Sequence, residues 1–494
     1  MSSSAALVVF LFFSIVFLYF LSKYSSLNLK EINTSKKTVK EYEKISIKSL
    51  ALVILSGFVS IFLSTYNFTD FSVDYDSMSV QLNFLIKNEI KFQMWNGRFF
   101  PLSHIDNAIL LKIFKSFDVL KAYLILHFIF LLSLVYFAFD FIPKNRRLVL
   151  LSLIAISPPI INIYSSAIYS ERNILLLLVA GVFFFRLGIK GVLSAKLALF
   201  FSLSSLFVSL YFKETTILYV ASFIGLYFIL KNFESLKRFN FSVLLTYLKK
   251  PLDYVETLFL IPCLLWLVSF FLLGGEVNPE YVAKRDNNLA EYAQQNAIEL
   301  FAITIIFFIT LLRARFDVYT VLILSCAPMV LYCLLISQSM GAYNIFTYYN
   351  YLIYCAFSLY VVSTVKDRFI VFAPLTIFSF TLISLFGFFE FTEKVEKRNK
   401  VLNQAVDLIR EESLNISIEE PWKERNLARF ILYKAKQGHI NHLTDHSLFC
   451  KDVNLYNDNT ECTINEQPYA SRVLIKFKTS SDQQDELKIV VATR

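Results

Sequence analysis

Residues 5–22, AALVVFLFFSIVFLYFLS, form eighteen consecutive positions without a charge. That run restricts the chain more than any other feature. A helix needs about 20 apolar residues to cross a hydrocarbon core of about 30 Å. Comparable runs recur at 48–66, 121–139, 148–168, 172–188, 195–212, 215–231, 253–273, 297–312, 318–337, 345–363 and 369–389. The composition agrees: 56% of residues are hydrophobic and 18% charged, against about 25% charged in soluble domains. Long unbroken runs do not match the alternating pattern of an outer-membrane barrel. The expected fold class is therefore mainly α, a polytopic helical membrane protein with about twelve transmembrane helices. Pro158 and Pro159 fall inside the fourth run, which is expected to break or re-enter there.

The formal net charge of +9 does not imply nucleic acid. In a membrane protein, Lys and Arg gather in cytoplasmic loops, and the chain has no basic groove interleaved with aromatics. The basic residues fall in alternate loops. They are Lys23, Lys30, Lys36, Lys37, Lys40 and Lys44, then PKNRR (143–147), RLGIKG (186–191), KNFESLKR (231–238), RAR (313–315) and KDR (366–368). By the positive-inside rule this side is cytoplasmic and both termini face out. The N-terminus lacks a basic n-region and a small-x-small cleavage site, so it reads as a retained first span.

The outward segments are then the first loop at 67–120, short turns near Glu171 and Lys213–Glu214, a loop at 274–296, and residues 390–494. The expected domains are a transmembrane domain over 1–389 and an extracytoplasmic C-terminal domain over 390–494. Helical patterns at 392–413 and 421–438, followed by alternating SRVLIKFKT and ELKIVVATR, make the latter a small α+β unit. Cys450 and Cys462 lie there, in an oxidising compartment if the orientation holds, and are expected to form a disulfide. Cys263, Cys326, Cys333 and Cys355 lie in apolar runs and read as small core residues. His439, His442 and His446 read as a surface cluster.

The first outer loop contains FTDFSVDYD. Asp74 and Asp76 are two apart, with Tyr75 between. A carboxylate there can act as a general base. A D-x-D pair can also bind a divalent cation such as Mg or Mn through oxygen ligands. The same residues equally suit a solvated loop with an N-cap aspartate. Downstream, SMSVQLNFLIKNEIKF and HIDNAILLKIFKSF have helical apolar spacing but are too short to span, which suits interfacial helices. Between them, MWNGRFFPL carries Arg98 and turn residues Gly97 and Pro101. Glu171 and Arg172 open one apolar run; Lys213 and Glu214 separate two others. Lys284 and Arg285 lie in the 274–296 loop. A rim of carboxylates and cations suits a substrate carrying phosphate and a reacting hydroxyl. No phosphate-binding P-loop, G-x-S-x-G elbow or H-E-x-x-H motif is present.

This pattern resembles the GT-C superfamily of membrane glycosyltransferases: an acidic motif in a long first outer loop, interfacial helices after it, a second acid opening a later span and an outward domain at the end. In plan the chain is most similar to the phage-type serotype-converting O-antigen glucosyltransferases, through DYDSMSVQLNFLIKNEIKFQMWNGRFFPL, YSERNILLL and YFKETTIL. The resemblance implies transfer of a sugar, such as glucose, from a polyprenyl-phosphate carrier to an extracytoplasmic glycan such as O-antigen, with inversion. It implies Asp74 or Asp76 as catalytic base and Glu171 as a second acid. Arg98, Arg172 and Lys213 would meet the carrier phosphate, with Glu214, Lys284 and Arg285 on the same rim. The chain has neither the D-E pair nor the W-W-D-x-G motif of other branches, so donor and acceptor stay open. Two other functions compete: a transporter or flippase of lipid-linked sugars, which would carry charges within its spans, and an O-antigen polymerase or ligase.

Overall fold

The computed structural model of the chain describes residues 3–27, 29, 94–95, 98–114, 118–155, 157–165, 169–213, 215–233, 247, 249–273, 318–328, 351–364, 415–418, 471–479 and 485–493. The chain divides into two compact units, one of residues 1–62, 91–104 and 123–384, the other of 63–90, 105–122 and 385–494.

The first unit is mainly helical. Its described elements are α1 (Ser3–Tyr24), β1 (Met94–Trp95) and β2 (Arg98–Phe99), then, after α2 (Ile105–Phe114) of the second unit, α3 (Asp118–Ala138), whose first residues belong to the second unit, α4 (Lys144–Ala155), α5 (Pro158–Ser165), α6 (Glu171–Ile189), α7 (Ala195–Ser209), α8 (Thr215–Lys231), α9 (Val255–Leu273), α10 (Val318–Leu324) and α11 (Tyr351–Thr364). Among the described residues three helices are long and apolar enough to cross a membrane: Ala6–Tyr24, Glu171–Ile189 and Val255–Leu273. Shorter apolar helices cover Ala122–Ala138, Ala195–Ser209, Thr215–Lys231 and Tyr351–Thr364. This is the make-up of a helical membrane protein. The expected runs at 48–66, 297–312 and 369–389 lie outside the described residues, as does the 389/390 boundary.

The surface supports the same conclusion. Phe12, Phe13, Leu126, Phe130, Phe271 and Leu272 are exposed, Phe271 at 78%, while Glu171, Arg172, Asn173 and His127 are buried. Apolar outside and polar inside is unfavourable in water and natural in lipid.

Local chemistry explains the helix ends. The run at 148–168 is broken, as the two prolines require. Helix α4 stops at Ala155, and Pro158 starts α5, where a missing N–H costs nothing. The Ser157 carbonyl accepts from the Ile160 and Ile161 amides, both at 3.0 Å. Helix α6 closes with Gly191 at φ 72°. The Gly191 amide bonds the Gly188 carbonyl and the Val192 amide bonds that of Leu187, each at 3.0 Å, the double closure that a left-handed residue permits. Ser194 then caps α7 through its bond from the Leu197 amide. Helices α6 and α7 thus lie antiparallel and close, with the Ser202 hydroxyl donating to the Gly181 carbonyl at 2.8 Å.

Side-chain contacts define two ends of this helical unit. At one end Asp140 pairs with Arg186 at 2.9 Å and with Lys190, and Lys231 pairs with Glu256 at 2.8 Å. Arg147 donates to the carbonyl of Tyr136 in the last turn of α3 and to those of Asp140 and Ile142 in the connection that follows, satisfying acceptors left without a helical partner. The Ser25 hydroxyl bonds the Leu252 carbonyl in the 3₁₀ turn Pro251–Asp253. The other end gathers Phe99, Glu171, Tyr211 and Lys213.

In the second unit α2 covers part of HIDNAILLKIFKSF. Its Ile109, Ile113 and Phe114 are exposed, and Asn107, Ala108 and Leu111 are buried. The alternating C-terminal segments are strands: β3 (Asn415–Ile418) lies parallel to β4 (Ser471–Thr479), and β4 antiparallel to β5 (Asp485–Thr493) with Ile475 opposite Ile489.

Candidate active site

Helix α6 begins with the polar tetrad Ser170–Asn173. The Ser170 carbonyl accepts from the Asn173 amide at 3.0 Å and the Ile174 amide at 3.3 Å. Its hydroxyl leaves its own helix and donates to the Phe212 carbonyl at 3.1 Å. That bond ties the start of α6 to the turn between α7 and α8. Phe212 precedes Lys213, so the tie sets the Lys213 ammonium against the Glu171 carboxylate, and the two form an ion pair. Both are buried: Glu171 is 1% exposed and Lys213 9%. The Lys213 carbonyl accepts from the Thr216 amide at 3.2 Å as α8 starts.

Arg172 is the largest fully buried side chain among the described residues. Its guanidinium donates to the Tyr169 carbonyl and lies 5.5 Å from the centre of the Tyr123 ring. A carboxylate in the first helical turn gains from the helix dipole; a guanidinium there works against it. Burying one at that place is costly unless the surroundings supply anionic or accepting groups. Among the described residues this end of the unit gathers two buried cations, Arg172 and Lys213, and the Glu171 carboxylate.

A polar network supports it. The Asn173 side-chain oxygen lies 3.3 Å from the Tyr123 hydroxyl, which donates to it, and 3.1 Å from His127 Nε2. His127 Nδ1 lies 2.8 Å from the Tyr164 hydroxyl. With the amide oxygen as acceptor, Nε2 carries the proton and Nδ1 accepts from Tyr164.

Part of the first loop reaches the same end. Strand β1 pairs with β2, Trp95 opposite Arg98, and the Asn-Gly sequence between them is one that favours a tight reversal. Phe99 is 1% exposed. Its ring packs edge-on against Tyr211, Trp266 and Phe270 at 5.8, 5.7 and 5.8 Å. The Leu102 amide donates to the Tyr211 carbonyl at 3.1 Å. The Tyr211 hydroxyl bonds Ser269 at 2.8 Å, and Ser269 the Trp266 carbonyl at 2.7 Å. Residues 99–102 are thus held beside Tyr211, two positions from Lys213.

Of the residues singled out in the sequence, the structure pairs Glu171 with Lys213 and buries Arg172 next to Glu171 in the first turn of α6. Arg98 has its backbone in β2, but its side chain lies outside the described residues. Asp74, Asp76, Glu214, Lys284, Arg285, Cys450 and Cys462 also lie outside them. Among the described residues no group of three His, Cys, Asp or Glu side chains is placed to hold a metal ion. Cys263 and Cys326 are buried free thiols and Cys355 is half-buried, as their apolar runs suggest.

Tyr123, His127, Tyr164, Asn173 and Tyr211 were not legible as site residues. His127 carried a faint signal, being a histidine within an apolar run. The others are aromatic or amide residues that gain meaning only from their partners. Family models, curated proteins and solved structures yield no match to this chain.

Proposed function

We propose that the chain is a membrane glycosyltransferase that moves a sugar from a polyprenyl-phosphate carrier to an extracytoplasmic glycan, such as O-antigen. The observation that carries this reading is the buried Glu171–Lys213 ion pair, with Arg172 buried next to it in the chain, beside the anchored first-loop segment 99–102. Cations held at helix ends beside an anchored loop segment suit an anionic ligand.

In the proposed reaction Asp74 or Asp76 takes the proton of an acceptor hydroxyl. The hydroxyl oxygen bonds to the anomeric carbon as the bond from that carbon to the phosphate oxygen breaks, with inversion. The electron pair leaves on the phosphate. Arg172 and Lys213 stabilise that charge, as fixed donors do at a developing oxyanion. Glu171 holds Lys213 in place. The site and both termini face away from the cytoplasm, as the distribution of Lys and Arg requires.

The test is purified protein in lipid nanodiscs, incubated with polyprenyl-phosphate sugars and acceptor glycans and followed by mass spectrometry. The expected result is release of polyprenyl phosphate with a glycosylated acceptor. Arg172→Ala, Lys213→Ala and the double variant Asp74→Asn/Asp76→Asn should abolish it while membrane insertion persists. Full transfer by the double aspartate variant would sink the base assignment. Movement of a lipid-linked sugar across vesicles with no bond cleaved would establish the flippase reading instead.

A further inference from the structure

The Tyr123–His127–Tyr164–Asn173 network has no part in the reaction as written, yet it lies against Arg172. Asn173 follows Arg172 in the first turn of α6. Its side-chain oxygen accepts from the Tyr123 hydroxyl at 3.3 Å, and Tyr123 presents its ring to the Arg172 guanidinium at 5.5 Å. His127, one turn along α3 from Tyr123, packs edge-on against that ring at 5.4 Å and 74° and bonds the same Asn173 oxygen at 3.1 Å. Tyr164 of α5 holds the other ring nitrogen of the imidazole, at 2.8 Å from Nδ1. The Phe128 ring, 4.8 Å from that of Tyr164, closes the packing. His127, Tyr164 and Asn173 are buried.

Three helices thereby converge on one ring. The Tyr123 ring is oriented at its hydroxyl by Asn173 and at its edge by His127, and His127 is oriented by Tyr164. A guanidinium over an aromatic face gains more as the pair is desolvated, and its planar fork requires a fixed orientation to meet a phosphate. Pinning the ring pins the guanidinium.

We propose that His127, Asn173 and Tyr123 form a positioning relay that holds the Arg172 guanidinium in the orientation that receives the carrier phosphate. The relay touches no reacting atom. The ligand class, a polyprenyl phosphate, rests on the function proposed above; the positioning of Arg172 does not.

The experiment has two arms, both on the full chain in nanodiscs. In the first, phenylglyoxal modifies arginines and peptide mass spectrometry follows Arg172. Wild type should react slowly, since Arg172 is 0% exposed. His127→Phe and Tyr123→Leu should raise the rate about tenfold, equivalent to about 1.4 kcal/mol of lost protection. His127→Gln, which keeps a donor to Asn173, should restore the wild-type rate. Tyr123→Phe keeps the ring and loses the hydroxyl, serves if Tyr123→Leu does not fold, and should also raise the rate. In the second arm, native mass spectrometry measures undecaprenyl phosphate binding. The same variants should weaken it about tenfold, the effect of one misplaced charge-assisted hydrogen bond, and lower kcat as well as kcat/KM for the donor, since Arg172 acts on the leaving phosphate. Unchanged Arg172 labelling in His127→Phe and Tyr123→Phe overturns the relay, whatever happens to binding. Labelling that responds in a wild-type background that binds no polyprenyl phosphate upholds the relay and removes the carrier reading.

Discussion

Breaking the Glu171–Lys213 pair from one side should harm the protein more than deleting it. The side chains are 2% and 11% exposed, so the small value of a surface ion pair, about 0–1 kcal/mol, does not apply. Removing one partner of a buried pair strands a desolvated charge and costs about 3–5 kcal/mol. Replacing both by apolar residues of similar volume is about neutral, or stabilising by about 1–4 kcal/mol. Glu171→Gln removes the carboxylate that the buried Lys213 ammonium pairs with. Lys213→Met leaves the Glu171 carboxylate in the first turn of α6, where the helix dipole compensates part of its charge. Glu171→Gln should therefore be the worse single variant, and Glu171→Leu/Lys213→Met should recover most of the loss. The assay is thermal unfolding in detergent, read by size-exclusion peak area after heating, with protein concentration and detergent held constant. Single variants as stable as wild type, or a double variant as poor as the two singles added, would refute the placement of this pair in a dry interior. The double variant should still lose all sugar transfer, which separates stability from chemistry.

Other outcomes follow from the packing. A Cβ at Gly188 would meet Ala198 Cβ at 2.5 Å and Leu29 Cδ1 at 2.6 Å. Gly188→Ala should thus cost about 1–3 kcal/mol by overpacking, despite the roughly 1 kcal/mol that alanine gains in a helix; thermal unfolding decides the sign. Arg147→Met removes the bonds to three carbonyls in the last turn of α3 and the connection after it and should destabilise by about 2–4 kcal/mol in the same assay. By contrast, Arg146→Met removes a bond to the Val362 carbonyl and should cost about 1 kcal/mol. A cysteine introduced at Ser77 should react with an impermeant maleimide only from the extracytoplasmic side; reaction from the cytoplasm alone would reverse the orientation. Cys450 and Cys462 should resist maleimide until reduced, and labelling of both before reduction would exclude the expected disulfide.

The sequence by itself determined the class of fold. Runs of apolar residues near bilayer length leave a helix as the element that satisfies every backbone group without water. Punctuation was equally local: Pro158 and Pro159 break the fourth run, and two alternating segments become paired strands. Glu171, Arg172 and Lys213 stood out because a charge at the lip of an apolar run is expensive. What only the tertiary structure decided is pairing across distance. The Ser170–Phe212 bond, 42 residues apart in the chain, is what turns Lys213 toward Glu171. Tyr123, His127 and Asn173 look like ordinary span residues until α3 and α6 are set side by side. Phe99 looks like one more aromatic until it packs among Tyr211, Trp266 and Phe270. Hydropathy depends on each residue's own transfer from water, so it is written along the chain. A buried polar network depends on which partner a group finds, and that is written only in the packing of helices.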